Sequence, residues 1–146
     1  MKRVFVDSSG FYALLVREDA FHDRAHDLFT RADAERWSLV TMNAVVFEAY
    51  ALLLTRSRPG RENALKFLAI VEGDAYQVER VRKTDEERAV ALLRTHADKT
   101  YSLCDAGSFV VMDRLAITDT LAFDRHFREY GRFASSRISS TERIDT

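Results

Sequence analysis

The stretch Val4-Phe5-Val6-Asp7-Ser8-Ser9-Gly10-Phe11-Tyr12-Ala13-Leu14-Leu15-Val16 decides the fold. It begins with a short apolar run unbroken by polar residues, the pattern of a strand buried on both faces. An acid follows at once. From Ser8 to Val16 the apolar positions Phe11, Leu14 and Leu15 then share one helical face. A strand passing directly into a helix is the start of a βα unit, and successive units of that kind make a parallel sheet covered by helices. Ligands of such sheets sit beyond the carboxyl ends of the strands, near a switch in strand order, so Asp7 stands where chemistry is expected.

Working outward, strands and helices continue to alternate. His22 to Ala34 places Ala25, Leu28, Phe29 and Ala32 at helical spacing, and Trp37 to Val40 reads as a second strand. Asn43 can cap the next helix, an apolar one running to about Thr55. After the Arg58-Pro59-Gly60 turn a helix spans Glu62 to Val71, and Tyr76 to Val81 alternates like a strand. Thr84-Asp85-Glu86-Glu87 is a capping box opening a helix to about His96. Cys104 to Arg114 is helical, Leu121 to Phe123 is a strand, and Arg125 to Tyr130 is a short helix that Gly131 ends as a C′ residue. One Pro and five Gly leave no linker, and no repeat is visible, so residues 1–146 read as a single domain.

The composition is that of an ordinary globular chain, 47% apolar and 31% charged. No apolar run approaches the ~20 residues that cross a bilayer. The start MKRVFVD turns acidic before a signal-type stretch develops, and the single Cys104 makes no internal disulfide, so a cytoplasmic location is expected. A net charge of -1 gives no global basic signal for nucleic acid and counts mildly against holding RNA by charge alone. Local clusters remain: Arg56, Arg58 and Arg61 around the Pro-Gly turn, and Arg125, Arg128, Arg132, Arg137 and Arg143 near the end. Each is either a solvated surface or a phosphate-contacting rim.

Four acids stand out. Asp7 and Asp124 each follow a strand, Asp105 lies in the first turn of a helix, and Glu48 interrupts the most apolar helix. The three Asp residues also have a plain role as helix caps, with Ser102 and Asp105 spaced as a capping box. Glu48 lacks that excuse, because its helical neighbours Ala44, Val45, Ala49 and Leu52 look like core, where a carboxylate needs a partner. Carboxylates gathered at one site repel one another and raise a pKa unless a cation compensates. An all-oxygen set suits Mg²⁺, with Mn²⁺ as the alternative, and carboxylate-held Mg²⁺ serves phosphodiester hydrolysis by activating water and stabilising phosphoryl charge. Zinc spacing is absent: His22 and His26 lack the Glu of an HExxH motif and read as an exposed face.

In order along the chain, Val-Phe-Val-Asp7-Ser-Ser-Gly-Phe-Tyr-Ala-Leu, Thr41-x6-Glu48, Ser102-Leu-Cys-Asp105-Ala-Gly-Ser-Phe and Leu-Ala-Phe-Asp124-Arg-His-Phe resemble the acidic segments of PIN-domain ribonucleases. Within that family the size and wording resemble the VapC toxins of toxin–antitoxin pairs. The resemblance implies a three-layer α/β/α fold around a parallel sheet and Mg²⁺-dependent RNA cleavage through Asp7, Glu48, Asp105 and Asp124. It also implies a homodimer, and a small antitoxin that blocks the acidic groove, with an Arg in the cation's place.

The chain departs from the family pattern at Ala122, where many relatives carry Thr or Ser. Asp119 competes with Asp124 if the last strand begins earlier, Asp113 is expected to face solvent, and Ser8 is a candidate extra contact near the metal. Cys104 is read as a small buried hydrophobe rather than a nucleophile. Phe11, Phe29, Phe47, Phe67 and Phe109 are read as core. Two rival functions stay open. A Mg²⁺-dependent phosphatase of the Asp-nucleophile kind wants a second Asp where Ser9 stands. An inactive RNA- or protein-binding module has no use for four acids that cost stability.

Overall fold

The computed structural model describes residues 1–130. The expectations for Gly131, Arg132, Arg137 and Arg143 lie outside that range. Strand β1 (Arg3–Val6) is followed by α1 (Ser8–Leu15) and α2 (His22–Ala34), β2 (Ser38–Met42), α3 (Asn43–Arg56) and α4 (Gly60–Val71). Then come β3 (Tyr76–Glu79), α5 (Lys83–Thr95), α6 (Leu103–Arg114), β4 (Asp119–Leu121) and α7 (Arg125–Tyr130). The sheet order is β3-β2-β1-β4, and every pairing is parallel. This is the α/β/α arrangement that the opening stretch implies. Among the described residues, no helix is long and apolar enough to cross a membrane.

Val4, Phe5 and Val6 are fully buried, which explains the unbroken apolar run: β1 lies between two strands and is covered on both faces. The buried strand residues Thr41 and Thr120 satisfy their hydroxyls on the Val6 and Phe5 carbonyls, each at 2.9 Å. Helix α6 is buried on almost every side from Asp105 to Met112. Small residues admit the close packing, with Gly107 against the Met42 side chain.

Several boundaries differ from the sequence expectation, for identifiable reasons. Asn43 does not cap α3; Met42 holds that place, and the Asn43 side chain accepts the Val81 N–H from the β3–α5 connection at 3.0 Å. Strand β3 stops at Glu79. At the start of α5 the box closes two residues early, because Asp85 rather than Glu87 accepts a backbone N–H, that of Arg82. Strand β4 runs Asp119–Leu121, two residues earlier than the apolar Leu-Ala-Phe run suggested, because Thr120 is accommodated by its bond to Phe5. Phe47 is not core: it is 79% exposed, while Val45, Ala49 and Leu53 form the buried face of α3.

Candidate active site

The chain moves outward from β1 to β2 and β3, then returns to the other side of β1 to form β4. The switch therefore lies between β1 and β4, and the crevice beyond their carboxyl ends is where a ligand is expected. Asp7 ends β1 there, with its N–H donating to the Leu121 carbonyl at 3.2 Å. Gly10 permits the next contact. A Cβ at that position would lie 2.6 Å from the Leu121 carbonyl oxygen, so only glycine lets the first turn of α1 settle against β4.

That approach brings Ser9 between two segments. Its hydroxyl donates to Asp7 Oδ2 at 2.8 Å and accepts the Phe123 N–H at 2.9 Å. The Ser9 N–H donates to the same Asp7 oxygen at 3.1 Å, making Asp7 the N-cap of α1 as well. Asp105 likewise has two roles. It closes a capping box with Ser102, both bonds being 3.0 Å, and its Oδ2 lies 2.8 Å from His126 Nδ1. Asp124 accepts the His126 N–H at 2.9 Å, a local turn that aims the imidazole back toward Asp105. Glu48 is half-buried beside the core face of α3 rather than within it, and it accepts the Ser8 hydroxyl. Ser8, expected near the metal, is thus a partner of Glu48.

Glu48, Asp105 and Asp124 line one cleft, and Asp7 lies behind it, close enough to both Glu48 and Asp105 for their charges to act on it. Asp7 is 2% exposed. Burial pushes its carboxyl up to about 7; Ser9 opposes this, and the Asp105 and Glu48 charges add to it. Burial raises the Cys104 thiol, and the same three acids raise it further, which removes the thiolate a nucleophile needs. Asp119 is Cα partner to Val4, whereas Leu121 pairs with Val6, so Asp119 sits toward the far end of β4 from Asp7.

A divalent cation fits these residues. Asp105, Asp124 and His126 each offer a ligand atom within 4.8 Å of the others, and the buried Asp7 carboxyl is pushed up as an uncompensated acid would be. Sequence reasoning passed over His126; its signal was the Asp-x-His spacing that folds the ring onto the preceding acids. It also passed over Phe21, which lines the cleft with Phe123, Tyr12 and Arg56. Arg56 thereby joins the site as a rim residue, while His22 is engaged by the Ala13 carbonyl at 2.9 Å.

Comparison with known proteins gives concordant results. The PIN domain family model matches residues 4–133. The 23S rRNA-specific endonuclease VapC20 of Mycobacterium tuberculosis, in strains CDC 1551 / Oshkosh and H37Rv, is 34% identical over 128 residues, covering 88% of this chain and 94% of the relative. The crystal structure of Mycobacterium tuberculosis VapC20, described as a sarcin–ricin loop cleaving toxin, superposes with a TM-score of 0.78, covering 88% of this chain and 95% of that one.

Proposed function

We propose, on the premise that the chain belongs to the PIN-domain family and is a ribonuclease of the VapC toxin kind, that it hydrolyses RNA phosphodiester bonds at Asp7, Glu48, Asp105 and Asp124. The observation carrying this assignment is the convergence of carboxylates from the ends of β1 and β4 and from α3 and α6 on one crevice, with the Asp7 carboxyl pushed up to about 7. These four residues would hold Mg²⁺, or Mn²⁺ in its place. The bound cation would supply an activated water and stabilise charge on the phosphodiester.

The chain's own groups prepare the site. Ser9 fixes Asp7 against the β4 end, Ser8 fixes Glu48, and His126 ties Asp105 to the loop carrying Asp124. Preset carboxylates need no rearrangement when charge develops on the substrate. Arg56, on the cleft wall, is placed to meet an RNA phosphate. The target follows the relative as part of the same proposal: an rRNA loop of the sarcin–ricin kind.

The regulatory partners belong to this reading too. An acidic crevice suits an antitoxin segment that presents an Arg. Phe47 is 79% and Leu103 58% exposed on a groove that also includes Met42, Ala44 and Val81; an apolar face of this kind suits a second copy of the chain in a homodimer. A cytoplasmic location matches an rRNA target. The test is cleavage of ribosomal RNA with Mg²⁺ or Mn²⁺, stopped by chelator and lost in Asp7→Asn and Asp105→Asn proteins that remain folded. Full activity in either variant would remove the catalytic assignment.

A further inference from the structure

Phe21 and Phe123 come from separate loops, one immediately before α2 and the other between β4 and α7, yet their rings stack with centroids 5.0 Å apart and planes 12° from parallel. Both line the same cleft as Glu48, Asp105 and Asp124. Neither is fully buried, in contrast to Phe5, Phe11, Phe67, Phe109 and Phe127. Phe123 also packs against the hydrophobic core, yet both rings keep partly exposed surface on the wall of the acidic crevice.

Their placement is fixed by the site itself. Phe123 directly precedes Asp124, and its N–H is held at 2.9 Å by the Ser9 hydroxyl that also bonds Asp7. The Phe21 N–H is held at 2.9 Å by Asp19 Oδ2, and the Arg24 guanidinium lies 5.8 Å from the Phe21 ring centroid. The aromatic surface therefore has a set position relative to the carboxylates, with the Arg24 cation over the Phe21 ring. RNA drawn into the crevice must place a base beside its scissile phosphate. A base with no pairing partner gains from an aromatic face whatever its identity, whereas a base held in a helix is already stacked.

We propose that Phe21 and Phe123 form a stacking platform for one unpaired base flanking the scissile phosphate, so that the enzyme selects loop nucleotides over paired ones. This rests on the ribonuclease reading above and adds a substrate determinant to it. The platform is a positioning device, and the carboxylates remain the catalytic groups.

The test uses an rRNA-derived hairpin whose cleavage site is first mapped with the unmodified protein. Abasic nucleotides are then placed singly on either side of that site. Phe21→Leu and Phe123→Leu keep apolar bulk but remove the π face, and Phe21→Tyr restores it. The expected result is that one abasic position lowers single-turnover kcat/KM by about tenfold, mainly through weaker binding. The Leu variants should lose a similar factor, show little further loss on the abasic RNA, and regain the loss in Phe21→Tyr. An equal abasic effect in unmodified and Leu proteins would overturn the platform, as would no abasic effect at either position; the second outcome needs no variant to fold. Failure of the unmodified protein to cleave any RNA would instead overturn the ribonuclease reading and the platform together.

Discussion

His126 Nδ1 lies 2.8 Å from Asp105 Oδ2, so an imidazole in the first turn of α7 braces the carboxylate at the start of α6. The same nitrogen is 3.4 Å from Asp124 Oδ1, which makes the ring a brace between two of the four acids. Removing it should leave the acids in place but poorly oriented. We expect His126→Ala to lower RNA cleavage by ~10- to 100-fold, the usual cost of losing a group that orients ligands. His126→Asn, whose amide can donate to the same carboxylate, should recover part of that loss. Initial rates at saturating Mg²⁺ measure both. An unaltered rate in His126→Ala would show that the brace is dispensable.

Asp7 predicts how the metal-free protein responds to pH. Its carboxyl is raised from 3.8 to about 7 by burial, with the nearby Asp105 and Glu48 charges adding to the shift. Between those values the folded chain holds a proton that the unfolded chain has released, so stability is greatest at the acidic end and falls as pH rises through about 7. Thermal melts in chelator should show that decline. Asp7→Asn should flatten it and raise the melting temperature at neutral pH, because an Asn side-chain oxygen can still accept the Ser9 N–H. A clear drop in melting temperature would mean that capping outweighs charge repulsion at this position. Asp105 is a less clean probe, since neutralising it also disturbs the Ser102 box and the His126 contact.

Much of this could be read from the chain alone, and the failures share a physical cause. Helix α2 has the predicted bounds because its apolar spacing is regular, and β1 was visible because its doubly covered residues Val4, Phe5 and Val6 are all apolar. β4 was misplaced because pattern reading favours an apolar triplet over Asp-Thr-Leu, and it has no means of knowing that Phe5 supplies a carbonyl for Thr120. Asn43 was misread for the same reason: its partner, Val81, is remote in sequence. The three Asp candidates were visible because strand ends and helix starts are local features, and Glu48 because it interrupts an apolar helix. What ties them together, Ser9 to Phe123 and His126 to Asp105, is tertiary.

The shift of β4 sharpens the choice between Asp119 and Asp124. An earlier strand start was the condition under which Asp119 would compete, and the start is indeed earlier. Register argues against it, because Asp119 pairs with Val4 while the crevice opens beyond Val6 and Leu121. We expect Asp124→Asn to lower cleavage by ~100-fold or more and Asp119→Asn to leave the rate per folded molecule nearly unchanged. Circular dichroism should accompany the assays, since Asp119 is partly buried and its loss can affect folding. Comparable loss of rate in both folded variants would undo this assignment.

Cys104 offers the sharpest contrast between a metal-assisted hydrolase and a covalent one. It adjoins Asp105 and lies near Glu48, so a thiol attack on phosphorus would be geometrically tempting. Electrostatics oppose it: burial raises the thiol first, and the Glu48, Asp7 and Asp105 charges raise it further. A cation could ease the charge repulsion, but the burial would remain, and the thiol would still have to lose its proton to act as a nucleophile. Cys104→Ala should therefore keep metal-dependent cleavage close to that of the unmodified protein, with a modest fall in thermal stability from lost packing. A thiol-alkylating reagent should likewise leave the unmodified enzyme active. Loss of rate by orders of magnitude in a folded Cys104→Ala protein is the signature of a missing nucleophile, and it would move the chemistry from the carboxylates to the thiol.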